Sequence, residues 1–122
     1  MENLKGYIPF FHLLLTTHKK QKIALLKSAS KQQIEALCEV ILNIITKTIP
    51  ITSSEDKFLK RQSRNINKIL RKTASVKYKQ LMFSKRLKIV DVILSAVLNF
   101  LRNDEDSTEV YPDSDREVQK DE

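Results

Sequence analysis

Apolar residues recur along this chain at intervals of three and four, the spacing of helices with one buried face, and the interruptions fall where helix caps belong. A first short helix is predicted from Pro9, a residue suited to the first helical position, to about Thr16. A second covers His18 to Ser28. Ser30 followed by Gln33 is a capping box, so a third helix should run from Lys31 to about Lys47, with Ile34, Leu37, Cys38, Ile41 and Ile45 on its inner face. Pro50 forbids its continuation. Thr52 followed by Glu55 repeats the capping pattern and opens a fourth helix that extends to Lys72 or Thr73. Ser75 caps a fifth, Val76 to Lys85. The last, Leu87 to Arg102, is apolar except for a narrow stripe of Lys88, Asp91, Ser95, Asn99 and Arg102. The period then lapses, and acids, Ser, Thr and Pro112 fill the remainder.

The expectation is therefore an all-α protein, a small bundle of five or six helices over residues 1–103, followed by a disordered acidic tail over 104–122. Its 122 residues suffice for one modest core. The single glycine, Gly6, excludes phosphate-cradling loops, Rossmann turns and primed hairpins, all of which need glycine at set positions.

Charge sharpens the picture. The formal net charge of +7 conceals 20 basic and 6 acidic residues in 1–103, against 2 basic and 9 acidic in 104–122. A body so positive favours polyanions. The fourth helix is the clearest case. Phe58, Leu59, Ile66, Ile69 and Leu70 project to one side, and Lys57, Lys60, Arg61, Arg64, Lys68, Arg71 and Lys72 to the other. From Lys57 to Val90 there are 12 basic residues and no acid. Four like-charge i,i+4 pairs along this helix (57/61, 60/64, 64/68, 68/72) cost ~1–2 kcal/mol together, which a bound polyanion would neutralise. Sixteen residues of helix span ~24 Å, about seven base pairs, and five to seven phosphate contacts give a log–log salt slope of roughly −4 to −6. Lys77, Lys79, Lys85 and Arg86 extend the predicted nucleic-acid-binding set, and the lysines at 19, 20, 22 and 27 form a less ordered second cluster. Gln62, Asn65 and Asn67 are within reach of base edges, but isolated surface amides are usually just solvated, so backbone contact with little sequence preference is expected.

Other chemistry finds little support. Phe10, Phe11, Phe58, Phe83 and Phe100 read as core, and Tyr78 is the one aromatic in a basic context, so stacking on single strands is not expected. His12 reads as a core histidine and His18 as exposed. Neither shares a metal-ligand spacing with Cys38, which reads as a small hydrophobe. No nucleophile, base and orienting group can be assembled around Glu35 and Glu39. No catalytic residue, metal or cofactor is predicted, and the protein is not expected to be an enzyme. The 15-residue apolar stretch of the last helix spans ~22 Å, too short for a bilayer core, and Asp91 interrupts it. A membrane-surface role ranks below nucleic acid. With Cys38 the only cysteine, no internal disulfide is available, and the apolar run from Tyr7 to Leu15 lacks the cleavage site of a signal peptide. An intracellular protein is expected, not a secreted one.

The segments Lys19-Lys20-Gln21-Lys22-Ile23-Ala24-Leu25-Leu26-Lys27, Ser30 to Asn43 and Ile49-Pro50-Ile51-Thr52, with Ile69-Leu70-Arg71-Lys72, resemble small basic helical proteins of Polinton/Maverick (adintovirus-like) mobile elements. The resemblance covers about two thirds of the chain and implies a virion-associated or DNA-condensing role. It weakens beyond Leu87, where this sequence has an acidic tail and lacks the glycine-containing apolar segment of that family. The residues thus predict a largely sequence-independent nucleic-acid-binding protein, with duplex DNA favoured, and the resemblance implies a nuclear or virion-associated protein that packages or organises viral or mobile-element DNA. The alternative is a helical interaction module that self-associates through residues 87–101.

Overall fold

The computed structural model describes residues 2–109, with side chains over 3–103. Eight helices and no strand occur among them: α1 (Glu2–Lys5), α2 (Ile8–Thr16), α3 (Lys19–Lys27), α4 (Lys31–Ile45), α5 (Ser53–Arg61), α6 (Ser63–Leu70), α7 (Val76–Lys85) and α8 (Leu87–Glu109). The protein is all-helical, as the periodicity predicts. The short α1 was not anticipated. The expected fourth helix is two helices, and α8 continues past Arg102 to Glu109. The rest of the predicted tail, 110–122, lies outside the described residues.

Side chains fix the helix starts. Ser30 Oγ accepts from the Gln33 N–H at 3.1 Å while Gln33 Oε1 accepts from the Ser30 N–H at 2.9 Å. Thr52 and Glu55 make the same reciprocal pair at 3.2 and 2.8 Å, and Ser75 Oγ accepts from the Tyr78 N–H at 3.0 Å. Each satisfies backbone donors that the first turn leaves without a carbonyl. The end of α4 is set differently. Lys47 adopts φ 69°, its N–H donates to the Ile44 carbonyl at 3.1 Å, and the Thr48 N–H donates to the Asn43 carbonyl at 2.9 Å. This is a Schellman turn with lysine where glycine is usual, and it stops α4 two residues before Lys47, well short of Pro50.

Helix α8 is the spine. Ile89, Val90, Ile93, Leu94, Ala96, Val97 and Leu101 are buried along it, and α2, α4 and α7 pack on its sides. From α2 come Phe11 and Leu14; from α4, Ile34, Leu37, Val40, Ile41 and Ile44; from α6, Ile66 and Ile69; from α7, Phe83. Helix α3 lies along α7, and Gln80 Nε2 donates to the Ala29 carbonyl at 2.7 Å, tying α7 to the α3–α4 turn. Burying such apolar side chains contributes roughly 1.5–3 kcal/mol each, which holds together helices individually too short to persist alone.

Two positions differ from the predicted inward set. Ile45 is 54 % exposed and Ile44 takes the buried position, because the inner stripe of α4 steps by three from Ile41. His12 is exposed, on the side of α2 opposite Phe11 and Leu14.

Candidate nucleic-acid interface

The cationic segment begins where the Thr52–Glu55 box starts α5, turning Phe58 and Leu59 partly inward and leaving Lys57, Lys60 and Arg61 exposed. It does not continue as one rod. At Gln62 the backbone takes φ −96°, ψ 11°, far in ψ from the ~ −42° of an α-helix. The interruption falls where the apolar period lapses: residues 60–65 are all polar, so no buried side chain fastens that turn. The Ile66 N–H still reaches the Gln62 carbonyl at 2.9 Å, and Ile66 and Ile69 anchor α6 on the core.

This break changes the electrostatics. Of the four like-charge pairs expected in one helix, only 57/61 and 64/68 remain within continuous helical segments. The 60/64 pair straddles Gln62, and Lys72 lies beyond the end of α6, where Arg71 turns extended at φ −59°, ψ 132°. The repulsion built into the helices is thereby about halved, to ~0.4–1 kcal/mol.

Lys57, Arg61, Arg64, Arg71, Lys72, Lys77 and Lys85 are exposed, and no carboxylate of the described residues lies within ion-pair distance of any of them. Lys60 is exposed but its Nζ is 3.0 Å from Asp56 Oδ2, an i,i+4 surface pair worth only ~0.3–0.5 kcal/mol. Lys68 is half-buried. Lys79 is half-buried too, its Nζ 4.0 Å from Cys38 Sγ on α4. Arg86 is half-buried at the α7–α8 joint, with a buried Nε that has no hydrogen-bond partner. Lys79 thus reaches towards α4, and Arg86 is partly covered at its Nε. The exposed cations of α5, α6, the 71–75 connection and α7 follow one another along the chain, and α6 packs directly against α7.

Three neighbouring features were not anticipated. Lys22, expected in a second basic cluster, is buried, and its Nζ is 2.6 Å from Asp91 Oδ1 of α8. Its flanking Ile23 and Leu26, and the position of Asp91 inside the apolar stretch, were the available signals. Lys88 Nζ stands 4.9 Å from the Phe58 ring centroid, a cation–π contact joining the start of α8 to α5. Asn65 Nδ2 donates to Gln62 Oε1 at 3.0 Å, so two of the three amides expected near base edges hold each other, and Asn67 alone is exposed.

Behind the cationic segment, a groove of about 360 Å³ separates α5–α6 from α4, lined by Ile41, Ile44, Ile45, Ile51, Leu59, Ile66 and Ile93 with the Asp56–Lys60 pair at its edge. Cys38 is buried, and burial pushes its thiol up from the ordinary 9.0, partly offset by the Lys79 charge, with Glu35 adding to the rise. Among the described residues no group of three His, Cys, Asp or Glu side chains is arranged to hold a metal, and no helix is long and apolar enough to cross a membrane.

No family model, curated protein or solved structure matches this chain.

Proposed function

We propose that this protein binds nucleic acid through the phosphate backbone, with little sequence preference and with duplex DNA as the favoured partner. The observation that carries the reading is the run of exposed cations Lys57, Arg61, Arg64, Arg71 and Lys72, none paired with a carboxylate among the described residues, in a stretch free of acids up to Val90. Five such contacts to duplex DNA release counterions with a log–log salt slope of about −4.5. The mutual hydrogen bond of Gln62 and Asn65 removes two candidates for base reading, which fits binding to the backbone rather than to sequence. Packaging or organising viral or mobile-element DNA is the use that the family resemblance implies. Self-association through 87–101 draws less support, because α8 turns most of its apolar residues into the protein's own core.

The test is a mobility shift on mixed-sequence duplex DNA at several salt concentrations, comparing the wild type with a variant in which Lys57, Arg61, Arg64 and Arg71 are all glutamine. The wild type should weaken steeply with salt, and the variant should bind less tightly with a slope shallower by about 3–4. Equal affinities and slopes for the two proteins would refute the proposal.

A further inference from the structure

The apolar and aromatic side chains exposed on α7 are not scattered. At 100° per residue, Lys77, Leu81, Lys85 and Tyr78 fall within one arc of about 100°. Tyr78 is 38 % and Leu81 42 % exposed, and both flanking lysines are exposed. The opposite side of the helix carries Phe83 into the core, and Lys79 and Gln80 reach towards α4 and the α3–α4 turn. Along this outward arc two cations flank the aromatic and apolar side chains, and no other helix among the described residues covers it. Lys77 and Lys85 are about 12 Å apart along the axis, the length of three to four stacked nucleotides.

From this arrangement we infer that the outer face of α7 holds unpaired nucleotides, with Tyr78 stacking on a base, Leu81 against the neighbouring base or sugar, and Lys77 and Lys85 on the flanking phosphates. The inference rests on the nucleic-acid reading and refines it: the protein grips single-stranded or locally opened segments with α7 and paired segments with α5–α6. Three considerations select this occupant. The lysines match a phosphate chain in charge. Base stacking on an aromatic ring tolerates any sequence, in keeping with a site that has few free amides. The exposed Arg71 and Lys72 also precede α7 directly in the chain, and α6 packs against α7. A lipid surface fits less well, since interfacial helices bury a broad apolar face and only two apolar side chains are exposed here. Among the described aromatic residues Tyr78 alone is exposed, so the stacking that the sequence does not predict has this one ring to use.

The experiment measures binding of the full chain to an oligothymidylate of about 20 nucleotides and to a mixed-sequence duplex of similar length at fixed salt. The variants are Tyr78→Gln with Leu81→Gln, and Tyr78→Phe alone. The double variant should lose about tenfold on the single strand and keep duplex affinity within twofold. Tyr78→Phe should bind the single strand as the wild type does. Far-ultraviolet circular dichroism checks that the exposed substitutions leave the fold intact. Unchanged single-strand binding in the double variant, or equal losses on both probes, overturns the inference while leaving the α5–α6 proposal standing. Binding of the wild type to neither probe overturns both. Loss of binding to anionic phosphatidylserine vesicles, with single-strand binding retained, would assign the face to lipid and overturn the inference.

Discussion

Replacing Asp91 by asparagine strands an ammonium in the core. Lys22 has a side chain only 9 % exposed, and its Nζ lies 2.6 Å from Asp91 Oδ1, whereas the carboxylate side is 44 % exposed. An exposed ion pair is worth ~0–1 kcal/mol, while removing one partner of a fully buried pair costs ~3–5 kcal/mol. The lysine is the member cut off from water, so the upper limit governs it; water at the carboxylate lowers the figure to about 2–3 kcal/mol. In a domain of this size that corresponds to roughly 10–20 °C in melting temperature. Circular dichroism at the helical band, followed against temperature and urea, measures it. Combining Asp91→Asn with Lys22→Met should recover most of the loss, because no buried charge then remains. The deficit of the single variant should also change little with added salt, since mobile ions do not reach the ammonium. A loss below about 0.5 kcal/mol for Asp91→Asn, or no recovery in the double variant, refutes the reasoning.

Further expectations follow from the caps and the thiol. Lys47→Gly should stabilise the protein by about 0.5–1 kcal/mol in urea unfolding, because lysine at φ 69° carries the left-handed penalty that glycine escapes. Thr52→Ala should cost about 1 kcal/mol by the same measurement, as the Glu55 N–H loses its acceptor. Burial raises the Cys38 thiol, so the folded protein should react with iodoacetamide at pH 8 far more slowly than the urea-unfolded chain. A thiol held above its unfolded value also favours the fold below about pH 9, and that contribution should fade as pH rises further.

What could be read from the sequence was local. Ser30 with Gln33, Thr52 with Glu55, and Ser75 act within one turn, and the helices they start begin where expected. The division at Gln62 was also written in the chain, as six polar residues from Lys60 to Asn65, but a helical wheel averages across such a gap and hides it. The left-handed Lys47 gave no signal, since nothing marks a lysine for a position that glycine usually fills. The Lys22–Asp91 pair joins residues 69 positions apart, and only the packing of α3 near α8 reveals it. For the candidate interface, the exposed arginines and lysines of α5 and α6 were legible from periodicity. The inward turn of Lys79 and the covered Nε of Arg86 depend on α4 and the α7–α8 joint, which no single helix encodes.

The position of α8 in the chain order has a consequence for how the molecule comes into being. Its buried residues reach from Ile89 to Leu101, and α2, α4 and α7 all rest against it. Until α8 has been translated, the sides of α2, α4 and α7 that rest on it are left uncovered. A chain cut before Ile89 therefore lacks the buried side chains on which those three helices pack, and their docking has to await α8.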